Sequence, residues 1–237
     1  MSDSRGARPP SLSAIRDGII SCDRCPRLRT YCQEVGKIKK AAFRNDVYWA
    51  RPVPGFGDPE ARLLILGLAP AAHGANRTGR VFTGDGVGAS GDFLMAALKR
   101  AGYANIATSQ RTDDGLQLSD AYIAAAVRCA PPANKPLPEE VDRCLPHLIH
   151  EVAALRNLQV VVALGKIAWD AWMKLLVARD DVLPRPRPAF AHGATWMHDG
   201  ITLVGAYHPS RQNTNTGVVT SKMYDTLFRR VRQSLRS

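Results

Sequence analysis

The 237-residue sequence is 45% hydrophobic and 22% charged with 19 glycines, the profile of a globular domain and not of a fibrous or disordered chain. No window approaches the roughly 18 consecutive apolar residues of a membrane span, and no apolar stretch follows the N-terminal charges, so a cytoplasmic protein without a membrane partner is expected. Lys and Arg number 32 against 21 Asp and Glu, a formal net charge of +11 that favours a polyanionic partner, nucleic acid first, over merely solvated surface charge.

In chain order, residues 1–11 are polar and carry Pro9-Pro10, which predicts a disordered lead-in to a single domain over residues 12–237. The segment Cys22-Asp-Arg-Cys25 comes next, then the basic run Lys37 to Lys40 and a Pro/Gly-rich loop from Arg51 to Pro59. Residues 1–51 hold 11 basic and 5 acidic side chains. Arg62 to Gly67 is a continuous apolar run of the kind that fills a strand covered on both faces, and similar runs recur at Ala121 to Val127, Val160 to Leu164 and Ile201 to Ala206.

Between the strands the period is helical. Ser90 is expected to cap a helix reaching about Gly102, with Phe93, Leu94, Ala97, Leu98 and Ala101 on one face. Val141, Leu145, Leu148, Val152 and Leu155 mark another, which Pro146 should break or kink just after Cys144. Leu183 to Pro188 reads as an extended connection, and a last helix turns Met223, Leu227, Val231 and Leu235 inward and Arg229, Arg230, Arg232 and Arg236 outward. Strands alternating with helices predict an α/β sandwich whose loops after the strands, Ala69 to Asp85, Cys129 to Pro138 and Tyr207 to Thr216, gather along one edge as the site.

Five cysteines in a reducing compartment argue against a disulfide framework. Cys22 and Cys25 form a C-x2-C pair, and Cys129 and Cys144 are widely spaced. Such thiolate sets hold zinc or an iron–sulfur cluster; a pair plus two separated ligands suits a [4Fe–4S] cluster better than the paired short knuckles of structural zinc, and unligated thiols are the remaining reading. Cys32 stands apart and reads as a small core residue.

The first site loop is rich in glycine and small residues, where backbone approaches a ligand closely. It lacks the Gly-Lys-Ser/Thr ending of a nucleotide phosphate loop, and Gly86-Val-Gly-Ala-Ser-Gly91 matches the dinucleotide spelling without a strand immediately before it, so the match is treated as chance. Asn134 sits between prolines that stiffen its loop, either as a turn former or as a carboxamide able to read a base edge. His208 either donates to a developing anion or caps a strand end.

Gly67-Leu-Ala-Pro70, Gly79-Arg-Val-Phe-Thr-Gly-Asp85, Cys129-Ala-Pro-Pro-Ala-Asn134 and His208-Pro-Ser210 together resemble the motifs of the uracil-DNA glycosylase superfamily, specifically its type-5 (family B) iron–sulfur branch, over about Cys22 to Tyr224. The resemblance implies a three-layer α/β/α sandwich with a central, mostly parallel sheet. It implies that Cys22, Cys25, Cys129 and Cys144 ligate a structural [4Fe–4S] cluster, that Phe82 stacks on a flipped base, that Asn134 bonds the base's Watson–Crick edge, and that His208 faces its O2 or the sugar. It also implies that the residues after His208, Arg211, Gln212, Asn213 and Thr214, enter the minor groove. Other branches carry Asp, Asn or Glu where this chain has Ala69, so Asp85 is the nearest carboxylate able to activate water, the alternative being a helix-capping role.

The activity implied by the resemblance is excision of uracil from duplex DNA, and from single strands, by a monomeric glycosylase. It is expected to be monofunctional, since no lysine is placed as a Schiff-base nucleophile. Flipping requires a few kcal/mol, less for a mispaired base, and an oxocarbenium-like state demands support for the sugar cation and the departing anion. The small Ala69 predicts that hypoxanthine, xanthine and ethenocytosine are accepted as well. A non-catalytic metal-containing nucleic-acid-binding protein is the competing class, and a nucleotide-dependent oxidoreductase rests only on the glycine spelling.

Overall fold

The computed structural model describes residues 10–235. Most of the expected N-terminal lead-in, residues 1–9, and Arg236 fall outside the described residues. Ser11 already caps a helix, its side chain accepting from Ala14 N.

The elements in order are α1 (Leu12–Ile20), α2 (Pro26–Ile38), β1 (Phe56–Gly57), β2 (Leu63–Gly67), α3 (Ala75–Thr78), α4 (Ser90–Arg100), β3 (Ala121–Ala125), α5 (Pro138–Ala154), β4 (Val160–Leu164), α6 (Lys166–Ala178), β5 (Thr195–His198), β6 (Ile201–Ala206), α7 (Arg211–Asn215) and α8 (Ser221–Ser234). One sheet has the order β1-β3-β2-β4-β6-β5. The four inner strands are parallel, and the edge strands β1 and β5 are antiparallel to their neighbours.

Every residue of β2, β3 and β4 is buried, which is why their sequences are unbroken apolar runs. Leu63 and Ile65 join α4 and α8 on one face, while Leu64 and Leu66 join α5 and α6 on the other. This alternation makes the sandwich three-layered, as expected. A third apolar cluster joins Cys25, Leu28 and Cys32 to Val127, Cys129, Val141 and Cys144, and so fastens α2 to the body. Arg27 reinforces the junction with a two-pronged bond to Glu140, at 2.8 and 2.7 Å.

Three local expectations need correction. Ser90 is the first residue of α4 and not its cap; Ala89 holds the cap position without a side-chain bond. Strand β3 stops at Ala125 instead of Val127, although Ala126 N and Val127 N still donate to Gly67 O and Leu68 O. Of the break or kink expected at Pro146, the break does not occur: α5 runs through it. The ring removes the N–H that would reach Asp142 O, but Asp142 is on the exposed side, while Cys144, His147, Leu148 and Glu151 hold the opposite face by burial.

Beneath the sheet edge lies a buried ion pair. Arg128 and Glu151 bond directly, with side chains 1% and 2% exposed, and Glu151 Oε1 also accepts from Tyr122 Oη and Gly55 N, each at 3.1 Å. Glu151→Ala leaves a guanidinium uncompensated in the interior, and a loss of about 3–5 kcal/mol in urea unfolding is expected; a loss below about 1 kcal/mol contradicts this account of the network.

Candidate active site

Strands β2, β3 and β6 run parallel, so the loops that leave them emerge on one edge, beside the point where the connections switch direction around β2. There they enclose a cavity of about 270 Å³ lined by Ala69, Phe82, Asp85, Asn134 and His208. All five residues expected at the base and sugar therefore share one cavity. Larger hollows, about 360 Å³ beside β6 and α8 and about 580 Å³ between α4 and α8, include none of the five.

The aromatic wall is built by backbone strain and by missing side chains. Phe82 adopts φ +53°, a conformation rare for a bulky residue. Its ring lies over Gly67, where an added Cβ would meet Phe82 Cε2 at 2.8 Å, and it stacks with His208 at a centroid distance of 5.9 Å and 28° between planes. Two arginines hold the loop in this shape. Arg77 donates to His73 O at 2.9 Å, Gly84 O at 2.6 Å and Asp46 at 2.6 Å, while its guanidinium covers the Phe43 ring. Arg80 donates to Thr83 Oγ1, Ser109 Oγ and Asp114.

Asp85 sits against Gly74, whose absent side chain leaves the room its carboxyl fills. Desolvation raises the Asp85 pKa to about 6, although Arg211 and Arg77 act in the opposite direction. The carboxyl caps neither neighbouring helix, since the cap positions of α3 and α4 receive no side-chain bond, and among the described residues it has no hydrogen bond. Burial lowers the His208 pKa to about 4, so its imidazole is neutral at pH 7. The His208 carbonyl accepts from Ser210 N and Asn213 Nδ2, each at 2.8 Å, and the preceding Tyr207 is held at both backbone polar atoms, by His192 Nδ1 and Tyr224 Oη.

Asn134 closes a tight turn in which Ala133 and Asn134 both have positive φ, 52° and 56°. Its carboxamide is exposed and has no partner among the described residues. The amide N–H groups of Ala69 and Ala71, at the cavity wall, likewise donate to no protein atom among the described residues.

The stretch after His208 forms the short helix α7, capped by Ser210. Arg211 and Gln212 are exposed at its start, whereas the Asn213 carboxamide braces the loop through its bond to His208 O. Arg211 also donates to Val87 O.

Cys25, Cys129 and Cys144 pack in the third cluster together with Cys32, which contacts Cys129 and donates to Ala130 O at 3.6 Å. Cys32 is the buried core residue expected, but it does not stand apart from the others in space. Cys22 is half-buried on the turn between α1 and α2 and lines a surface groove with Asp23, Arg29 and Arg51. Among the described residues no three His, Cys, Asp or Glu side chains converge on one point, as a single zinc ion requires. The donor set suits a larger sulfur-bearing group: buried thiols gathered from α2, α5 and the loop after β3, beside three unpartnered buried nitrogens, Arg128 Nε, Arg128 Nη1 and His147 Nε2.

Gly67 and Arg80 stand inside the motifs without an assigned role, and Gly74, Arg77 and the Tyr207 clamp have no assigned role in the sequence either. Arg128 had a local signal, its position next to Cys129. No helix among the described residues is long and apolar enough to cross a membrane.

Comparison with known proteins gives a family match. The model of the uracil DNA glycosylase superfamily matches residues 54–235. The chain is 48% identical over 225 residues to a type-5 uracil-DNA glycosylase of Mycobacterium tuberculosis, covering 94% of this chain and 81% of the relative. It is 49% identical over 207 residues to the type-5 enzyme of Thermus thermophilus, covering 87% and 90%. A type-4 uracil-DNA glycosylase of Pyrobaculum aerophilum is 32% identical over 173 residues, covering 73% and 69%.

A raised carboxyl pKa means that the folded state binds the proton more tightly than the unfolded state, so ionised Asp85 destabilises the fold above pH 6 and has no such effect below about pH 4. Asp85→Asn should therefore be more stable than the parent by about 1–3 kcal/mol at pH 7, with the gain vanishing at pH 3.5 in paired denaturation curves. Equal stabilities at both pH values contradict the burial of this carboxyl.

Proposed function

The chain belongs to the uracil-DNA glycosylase superfamily, and from that premise we propose that it is a monofunctional, type-5 glycosylase that flips uracil out of DNA and hydrolyses its N-glycosidic bond. The observation that carries the reading is the single cavity shared by Ala69, Phe82, Asp85, Asn134 and His208. Phe82 stacks on the extruded base and the unpartnered Asn134 carboxamide pairs with its edge. As the C1′–N bond opens, the electron pair leaves with the base. Neutral His208 and the free amides of Ala69 and Ala71 donate hydrogen bonds to the resulting anion, and a preorganised donor of this kind contributes about 2.7–4 kcal/mol. Asp85, ionised above pH 6, supports the cationic sugar and accepts a proton from the water that adds at C1′. The product is an abasic site.

The methyl side chain of Ala69 leaves room for larger bases and supports extending the substrates to hypoxanthine, xanthine and ethenocytosine. Exposed Arg211 and Gln212, with the basic N-terminal helices, supply contacts to double- and single-stranded DNA whose strength falls with salt. Residues 12–237 act as one domain, in a cytoplasmic monomer. Cys22, Cys25, Cys129 and Cys144 hold a [4Fe–4S] cluster, which supplies a rigid cross-link between the N-terminal helices and the Asn134 loop and takes no part in the chemistry.

The test is single-turnover release of base from a uracil-containing duplex, with abasic sites revealed by alkali. The wild-type rate should rise from pH 5 to a plateau above pH 7, tracking Asp85 ionisation, with no descending limb from His208 in that range. Asp85→Asn should lose about 10²–10⁴-fold, and His208→Ala about 10²–10³-fold. Salt-dependent binding of the duplex with no base release by the wild type would instead favour the non-catalytic binding protein.

A further inference from the structure

Arg128 is almost fully enclosed, yet only one edge of its guanidinium is used. Nη2 donates to Glu151, while Nε and Nη1 have no partner. His147 Nε2 is a third buried nitrogen without one. Buried polar nitrogens left unpaired are costly, more so when charged, so such a concentration in one place demands an acceptor.

Its location says which acceptor. Arg128 directly precedes Cys129, its charge acts on the Cys144 thiol, and His147 lies one turn beyond Cys144 on the same buried face of α5. The thiols lie among apolar side chains and meet two further cations, Arg143 at Cys25 and Arg29, whose Nη1 donates to Cys129 Sγ at 4.0 Å. Nη2, flanked by the two free nitrogens, is committed to Glu151, whose second oxygen holds Tyr122 of β3 and the backbone at Gly55.

We propose that the free Nε and Nη1 of Arg128 donate hydrogen bonds to sulfur atoms of a cluster held by Cys25, Cys129 and Cys144 and completed by Cys22, with His147 adding a third donor. Arg128 is then a positioning residue that ties the cluster, through Glu151 and Tyr122, to the central sheet. The inference rests on the cluster assigned under the proposed function. Hydrogen bonds and positive charge at the sulfurs favour the more negative redox state, so the pair sets the reduction potential as well as retention of iron.

The experiment compares wild-type holoprotein with Glu151→Gln and with the double variant Arg128→Met/Glu151→Gln, which removes the guanidinium without stranding a carboxylate. Arg128→Lys in the wild-type background keeps the charge but loses the planar fork. Iron content, the visible absorption of the cluster, its midpoint potential and resistance to an iron chelator are read alongside urea midpoints. The double variant should lose iron at about 10-fold lower chelator concentration than Glu151→Gln, with a lower reduction potential, and Arg128→Lys should fall between it and the wild type. If the double variant matches Glu151→Gln in potential and chelator resistance, Arg128 is only half of an ion pair and the inference fails while the cluster stands. A folded wild type isolated from iron-replete cells with no iron and no visible absorption overturns the cluster and, with it, this role.

Discussion

The site depends on the partial removal of water from two ionisable side chains at the end of a parallel sheet. Asp85 and His208 are pushed in opposite directions on the pH scale by the same cause, burial, and both adjustments favour the form useful near neutrality: a carboxylate still able to take a proton, and an imidazole that donates without carrying charge. Neither adjustment survives if the loops open. Two glycines without side chains, at 67 and 74, admit Phe82 and Asp85 respectively, and Arg77 and Arg80 fill the loop's interior with hydrogen bonds so that water is not needed there. The positive φ at Phe82 is conformational strain that the surrounding packing maintains, whereas Asn134 takes a left-handed conformation that Asn tolerates.

The N-terminal helices extend that rigidity. Most of the basic excess of the first fifty residues sits on α1, α2 and the segment after them, and this whole unit is attached through Arg27–Glu140 and the cysteine-rich cluster to the start and middle of α5. The cluster also includes the start of the Asn134 loop. The basic surface of the N-terminal helices and the Asn134 loop thus share one anchorage. Arg211, at the head of α7, adds a cation next to Asp85 and to the exposed Val87 backbone at the cavity's mouth.

Much of this was legible in the residues. The four inner strands announced themselves as unbroken apolar runs because both sheet faces are covered, and α8 showed its two faces plainly. The edge strand β5 was not seen, since Thr195 to His198 alternates weakly and borders solvent. Helices α1 and α2 bury only two residues each and so carry weak apolar stripes, and α7 is wholly polar, although Ser210 is a proper cap. Pro146 interrupts one backbone bond on the exposed side of α5, and burial of the opposite face keeps the helix continuous. At the site, Phe82, Asn134 and His208 could be named from sequence because motifs fix residue types. The arginine scaffold and the clamp on Tyr207 could not, because they join segments far apart in the chain, as Arg80 with Asp114 and Tyr207 with His192 demonstrate.

The central claim is that the slot behind Phe82 is where the extruded base resides. It is tested most directly by nuclear magnetic resonance on protein labelled at Phe and His rings and Asn carboxamides, titrated with a duplex carrying one 2′-fluorinated deoxyuridine, whose glycosidic bond resists cleavage. The account predicts that the Phe82 ring, the His208 imidazole and the Asn134 carboxamide shift together and saturate at one equivalent, and that the same duplex with thymidine at that position leaves them in place. Shifts confined to His192 and its surroundings, with Phe82 and Asn134 unmoved, would contradict it.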